Sequence, residues 1–307
     1  MNCMPEPVLA SASIRLTAKR LRHWYGAADT AMYHAKEKGG GNYQFFSQHL
    51  NADIRHRLNT EGLLRHALAG EELTLHYQPQ VDMRSRRIFG AEALIRWRHP
   101  ERGLIGPSEF IAIAEDTGLL VPIGEWALRE ACRQLKRWHE AGHSHLKIAV
   151  NMSARQIAQP GMGDTVAQIL AEAALPAQSL NLEITESTLT QPDEKTRNFL
   201  RQLKEMGVQL SLDHFGSGNF SMSYLQQFFI HTLKIDQTCM QGIDRNHAGI
   251  TIADAIIAMA RSLHLEVIAE GVETAEQAFF LGSLGCWSAQ GYYYGKPVAS
   301  DAFAKLL

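Results

Sequence analysis

From Leu73 onward the chain alternates short apolar runs with longer segments of helical periodicity, and this alternation limits the fold more than any other feature. The segments between most runs have ten or more residues with helical spacing, such as 122–140 and 248–263. Strands that alternate with helices indicate βαβ units and a mostly parallel sheet. The eight runs therefore predict an α/β fold, a (β/α)8 TIM-like barrel. They are LTLHYQ, FGAEALIRW, LKIAVNMS, LNLEIT, VQLSLD, TLKID, LEVIAE and CWSAQGYYY.

The first two runs depart from this pattern. Only a short polar link, MRSRR, joins them, and it is too short for a crossover helix. We therefore predict that the first strand pair is antiparallel.

Composition excludes several classes of protein. Thirty Lys and Arg against 32 Asp and Glu give a formal charge of −2, which argues against binding a nucleic acid polymer through a broad basic surface. The sequence has no apolar run of membrane-spanning length and no secretion signal at its start. Its four cysteines are far apart in sequence and have no CxxC spacing, so we expect reduced thiols and a cytoplasmic location.

Polar side chains recur at or near the ends of seven of the predicted strands. Barrel active sites form where the carboxyl ends of strands meet their loops. Each such residue alone is more simply explained as solvated or salt-bridged, but seven with the same placement favour a site. Carboxylate and amide oxygens are ligands that hard divalent cations prefer. The seven are Glu92, Asn151, Glu183, Asp213, Lys234, Glu270 and Gln290.

These residues lie in motifs that resemble the EAL family of cyclic di-GMP phosphodiesterases. The signature is Glu92-Ala93-Leu94, and the resemblance covers about residues 57–305. It implies a (β/α)8 barrel with an antiparallel first pair and hydrolysis of cyclic di-GMP to linear pGpG with two divalent cations, Mg²⁺ or Mn²⁺. The motifs, in order, are YQPQ, GAEALIRW, VNMSARQ, LEITES, LDHFGSG, LKID, AEGVET and QGYYYGKP.

The resemblance also implies roles for single residues. Glu186 would brace the loop after the strand that ends in Asp213, and Lys234 would orient the nucleophile. Catalysis would fall to Glu92, Asp213, Lys234 and Glu270. Metal ligands would be Glu92, Asn151, Glu183, Asp213 and Glu270, with His214 as a further candidate, and substrate contacts would be Gln78, Leu94, Arg96 and Gln290. For Arg96 a surface salt bridge, and for Gln78 a plain strand end, are the simpler alternatives.

His214 departs from the family pattern, which usually has two adjacent aspartates here. Three alternatives are open: a metal ligand, a general base, or a site that has lost its second metal and only binds the nucleotide. Because imidazole suits Mn²⁺ better than Mg²⁺, we expect Mn²⁺ to be favoured. Asn219 and Phe220 also depart from the family pattern in the loop that follows. Family members often pair through helices near this loop, so the resemblance implies a homodimer.

Residues 27–46 resemble the last helix and strand of a GGDEF (diguanylate cyclase) domain, although the GGDEF signature itself is missing. We assign 1–46 to a leader plus this remnant, 47–69 to a helical linker and 70–307 to the EAL barrel, with GGDEF or sensory domains upstream in a longer parent. Cyclase activity is excluded for so short a remnant.

Two other functions stay open. One is a catalytically weak or inactive domain that acts as a cyclic di-GMP receptor, and His214 points toward it. The other is hydrolysis of a different phosphodiester, which EALIRW and YQP disfavour because they match the nucleotide-contacting positions.

Overall fold

The computed structural model describes residues 48–190, 192–216, 225, 228–240 and 247–307. The chain has two compact units, with the boundary after His66. Helix α1 spans Gln48–Ala69, where the sequence predicts a helix. The GGDEF-like stretch 27–46 and the loop residues Asn219 and Phe220 lie outside the described residues. Among the described helices, none is both long and apolar enough to span a bilayer.

The second unit begins with a hairpin of β1 (Leu73–Asp82) and β2 (Arg87–His99), which pair antiparallel. This confirms the prediction from the short polar link. β2 then turns into β3 (Gly103–Ile105), a three-residue antiparallel strand that the sequence analysis missed. A strand this short carries no period that a pattern search can detect.

Eight strands close a barrel in the order β1-β9-β8-β7-β6-β5-β4-β2, since β1 also pairs with β2, and β3 extends the sheet beside β2. β1 is antiparallel to both of its neighbours, and all other barrel pairs are parallel. The predicted (β/α)8 barrel is thus confirmed. The remaining strands are β4 (Lys147–Asn151), β5 (Leu180–Thr185), β6 (Gln209–Phe215), β7 (Thr232–Ile235), β8 (Glu266–Ala269) and β9 (Ser288–Ala289).

Helices follow the strands along the chain. In the longest barrel helix, α3, the buried positions Ile123, Ala127, Ala131, Leu135 and Trp138 recur every three or four residues, so one face is apolar. The described helices after α1 are α2 (Ile111–Asp116), α3 (Leu120–Glu140), α4 (Ala154–Ile157), α5 (Met162–Ala173), α6 (Glu186–Thr190), α7 (Glu194–Met206), α8 (His247–Ser262), α9 (Ala275–Ser283) and α10 (Ser300–Ala304).

Two strands differ in extent from the sequence expectation. β2 has 13 residues, so Glu92 lies in its middle instead of near its end. β9 has only two residues, and Tyr292–Tyr294 form a turn beyond it. The length of β2 follows from its partners, because β1 and β3 supply backbone hydrogen bonds beyond the reach of β4.

Candidate active site

One lysine and four carboxylates meet inside the barrel, where the carboxyl ends of the parallel strands converge. Lys234 on β7 is fully buried. Its Nζ lies 2.8 Å from Glu183 Oε2, 2.9 Å from Glu270 Oε1, 3.0 Å from Glu92 Oε2 and 3.6 Å from Asp213 Oδ1. Glu183 lies on β5, Glu92 on β2 and Asp213 on β6, and Glu270 directly follows β8. Lys234 and these four acids are five of the seven residues that the strand pattern singled out, and the other two, Asn151 and Gln290, contact Glu92.

Burial and mutual charge perturb this cluster strongly. Burial alone would lower the pKa of Lys234, but the carboxylates, Glu183 foremost, outweigh it and hold that pKa well above the ordinary value. Burial and the neighbouring charge of Glu92 raise the pKa of Glu183 well above the ordinary value. Burial also raises the pKa of Glu270 to about 7, against the attraction of Lys234. One ammonium therefore does not neutralise four carboxylates, which sum with it to −3 when all are ionised.

The donor set fits a divalent cation. Among the described residues, Glu183 Oε1 is a buried oxygen with no hydrogen-bond partner, and an unpaired buried acceptor is costly unless something binds it. Asp213, His214 and Glu270 each offer a ligand atom, and these atoms lie within 4.8 Å of one another. A divalent cation bound here would offset the excess negative charge, bind the unpaired oxygen of Glu183 and take ligand atoms from the cluster.

Side-chain amides surround Glu92. Asn151 Nδ2 donates to Glu92 Oε1 at 2.7 Å, and Gln290 Nε2 donates to Glu92 Oε2 and, at 3.0 Å, to Gln78 Oε1. Burial opposes the charge of Glu92, but Lys234 and these amides lower its pKa overall. Gln78 faces Glu92 across the β1–β2 ladder, is buried and donates to Gly295 O, so it is not a plain strand end.

Gln290 reaches this position because the chain turns closely behind it. A Cβ on Gly291 would lie 2.2 Å from the carbonyl oxygen of Val272, so only glycine fits there.

His214 lies at the open side of the cluster, with 57% of its side chain exposed. Its Nδ1 is 2.7 Å from Asp236 Oδ2 and 3.8 Å from Glu270 Oε2, and its Nε2 is 3.5 Å from Asp213 Oδ2. Partial burial would lower its pKa, but Asp213 and then Glu270 and Asp236 raise it overall. Its φ of +55° is left-handed, a conformation in which the backbone N–H bonds Asp213 Oδ1.

Glu186 stands apart from the cluster. It is the first residue of α6, and its Oε1 accepts a hydrogen bond at 3.0 Å from the backbone N–H of Gly216, directly after β6. This contact is of the kind that the predicted loop-bracing role needs.

A cavity of about 340 Å³ opens over the cluster. Leu94 and Gln78 contribute to its wall, as do Tyr292, Gln237 and Glu273 from the loops. Arg96 does not line it. That side chain is half-buried beside the cavity, where its Nη1 donates to Ile95 O and its charge interacts with Tyr292 and Glu92.

Sequence reasoning assigned no role to Asp236 or Gln80, although both were within reach. Asp236 ends the LKID motif and contacts His214, and an acid two residues after Lys234 was a usable signal. Gln80 is two residues after Gln78, so strand alternation places both on the inner face.

Comparison with known proteins agrees with this geometry. The EAL domain family model matches residues 62–297. The chain therefore belongs to the EAL domain family.

Its relatives include the bifunctional diguanylate cyclase/cyclic di-GMP phosphodiesterase MucR of Pseudomonas aeruginosa, 44% identical over 274 residues, which cover 89% of this chain and 40% of MucR. The cyclic di-GMP phosphodiesterase PdeR of Escherichia coli is 39% identical, with coverages of 91% and 42%. A solved structure of the MucR phosphodiesterase in complex with cyclic di-GMP has a TM-score of 0.77 and 43% identity, and the match covers 80% of this chain and 99% of that one. The chain thus spans about two fifths of the length of these two curated relatives.

Proposed function

We propose that this chain hydrolyses cyclic di-GMP to linear pGpG in a metal-dependent reaction. The observation that carries the proposal is the buried Lys234 among four carboxylates, with the unpaired Glu183 Oε1 beside it. EAL family membership and the activities for which MucR and PdeR are named support the choice of substrate.

The residues that would hold metal surround Lys234. Two divalent cations, Mg²⁺ or Mn²⁺, would offset phosphate charge, lower the pKa of a bound water and stabilise the leaving oxygen. Their ligands would be Glu92, Asn151, Glu183, Asp213 and Glu270, joined by His214. Because His214 offers an imidazole nitrogen where the family usually has a second aspartate, we expect Mn²⁺ to be favoured over Mg²⁺.

Hydrolysis forms one bond from a water oxygen to phosphorus and breaks one bond from phosphorus to a ribose oxygen, which takes up a proton. Glu270 lines the cavity and lies 2.9 Å from Lys234 Nζ, so it would hold the second cation or its water and take up a proton from that water. Lys234 bonds Glu92, Glu183 and Glu270 at once, so it fixes their positions and supplies positive charge near the reacting phosphate. Its raised pKa keeps it charged throughout.

Substrate contacts would come from the cavity and its edge. Gln78, Gln290 and Leu94 line the cavity, where the two glutamines would offer amides and Leu94 an apolar side chain to a bound nucleotide. Arg96, beside the cavity, would pair with a phosphate, because a guanidinium recognises phosphate oxygens in a bidentate manner.

A second candidate function is a cyclic di-GMP receptor, and His214 is the observation that favours it. Its Nδ1 contacts Asp236 Oδ2 at 2.7 Å, so only Nε2 is left for a metal, in place of the carboxylate that the family usually has here. A site with incomplete metal binding would retain the nucleotide contacts but lose turnover.

One experiment separates the two candidates. Purified protein is incubated with cyclic di-GMP in Mn²⁺ and, separately, in Mg²⁺, and pGpG is measured by chromatography. Glu266→Gln is the matched control for variants of Glu270, because Glu266 is exposed at the opposite end of the same strand. Turnover in Glu266→Gln but not in Glu270→Gln supports the enzyme. No turnover, together with tight calorimetric binding of cyclic di-GMP, supports the receptor.

We propose a cytoplasmic homodimer, with the assignments of 1–46, 47–69 and 70–307 given above and GGDEF or sensory domains upstream in a longer parent. MucR, which is named as a bifunctional diguanylate cyclase/cyclic di-GMP phosphodiesterase and of which the match covers 40%, supports this organisation. Light scattering of the purified protein measures whether it is a dimer.

A further inference from the structure

Gln80 is a buried polar residue to which the proposed mechanism gives no role. It is 2% exposed, lies two residues after Gln78 on β1, and donates through Nε2 to Gln290 Oε1 at 3.2 Å. It does not reach the carboxylates itself. Its effect on the site therefore has to pass through Gln290.

The hydrogen bonds around Gln290 have only one consistent direction. Glu92 Oε2 lies 3.0 Å from the ammonium of Lys234, which only donates, so this oxygen is an acceptor and the amide nitrogen of Gln290 has to face it. Gln290 Oε1 then points the other way and needs a donor, which Gln80 Nε2 provides. Donation thus runs from Gln80 to Gln290 to Glu92.

The backbone fixes Gln80 in this place. Gln80 pairs with Gly90 on β2, and the register shifts directly after it. A Cβ on Gly90 would lie 2.9 Å from Gln80 Oε1, so the glycine leaves the space that the side chain occupies. Packing therefore fixes the side chain of Gln80 in a position from which it can orient the amide of Gln290.

We propose that Gln80 is a positioning residue, which holds the amide of Gln290 so that it donates to Glu92 and thereby orders Glu92 as a metal ligand. This inference rests on the proposed function. Partners that orient metal ligands typically contribute about 10- to 100-fold in metal affinity or activity.

Two variants test it. Gln80→Met keeps the length but removes the donor, and Gln80→Glu places an acceptor against Gln290 Oε1, which favours rotation of that amide and directs its oxygen at Glu92. We expect Mn²⁺ affinity, measured by calorimetry without substrate, to fall roughly tenfold in Gln80→Met and further in Gln80→Glu. The kcat should fall in the same order.

The controls separate positioning from packing. Gln134 on α3 is also buried and accepts from Arg137, so Gln134→Met and Gln134→Glu disturb a buried glutamine elsewhere. They should leave Mn²⁺ affinity unchanged. In a Gln290→Met background, Gln80→Met should add less than about twofold, because the residue through which it acts is gone.

Wild-type Mn²⁺ affinity in both Gln80 variants would overturn the proposal, as would additive effects in the Gln290→Met background. Losses that only follow the unfolded fraction, measured by near-UV circular dichroism, would overturn it too. If the wild type binds Mn²⁺ but does not turn over cyclic di-GMP, the proposed function fails, and the calorimetric comparison still decides the role of Gln80.

Discussion

Replacing Lys234 by methionine removes the cation that four buried carboxylates share. The ammonium is fully buried and lies 2.8–3.6 Å from an oxygen of each acid. Methionine fills a similar volume, so the change tests charge and not packing. Breaking a buried ion pair from one side costs about 3–5 kcal/mol, because the remaining charges have lost their partner.

Urea denaturation in EDTA, followed by tryptophan fluorescence, measures this cost. With a slope of about 3 kcal/mol/M, the midpoint should fall by about 1–2 M. Mn²⁺ at about 100 times its Kd should restore about 2.7 kcal/mol, because a bound cation replaces the lost positive charge. Wild-type protein should gain less at the same Mn²⁺ concentration, since its site is less negative.

Lys147→Met is the matched control. Lys147 is a half-buried lysine at the first residue of β4, at the end of the strand away from the site. It should shift the midpoint little and show no difference between EDTA and Mn²⁺ beyond that of the wild type. Equal stability of the two variants in EDTA would refute the electrostatic account of the cluster.

Three further predictions concern single residues. Burial raises the pKa of Glu270 in the folded state from 4.5 to about 7, so the folded protein binds this proton more tightly than the unfolded chain does. Without metal, the free energy of unfolding should therefore fall by about 3 kcal/mol as the pH rises through that range. Glu270→Gln should flatten this slope in urea titrations at several pH values, and an unchanged slope would assign it to other groups. His214→Asp should lower the ratio of Mn²⁺- to Mg²⁺-supported turnover, and equal activity with both metals before and after the change would contradict a ligand role. Glu186→Gln keeps an acceptor for Gly216 N–H but removes the charge, so it should lower turnover less than Glu186→Ala does. The opposite order would contradict the loop-bracing role.

The barrel was predictable because the same sequence pattern, an apolar run followed by a helical segment, recurs along the chain. Each strand after the first hairpin needs a crossover, so apolar runs alternate with helical segments along the chain. The MRSRR link predicted the antiparallel pair for the same reason. The strand β3 escaped because three residues carry no period, and Glu92 was placed near a strand end because partners distant in sequence set the length of β2.

The candidate site was predictable in its members but not in its connections. Strand alternation and motif resemblance pointed to Glu92, Glu183, Asp213, Lys234 and Glu270. That Lys234 contacts all four acids depends on barrel closure, which no local pattern encodes. The sequence could have placed Asp236 and Gln80 near the site, but their contacts with His214 and Gln290 depend on side-chain direction in the closed barrel.

Cyclic di-GMP turnover in wild type and Glu92→Gln, with Mn²⁺ and pGpG as the measured product, tests the central claim most directly. Glu92 accepts from Asn151, Gln290 and Lys234, so the amide variant keeps the shape of the site and removes one ligand charge. The account predicts pGpG from the wild type and a loss of turnover in the variant while the protein remains folded. Equal turnover in both proteins would contradict the assignment of the site.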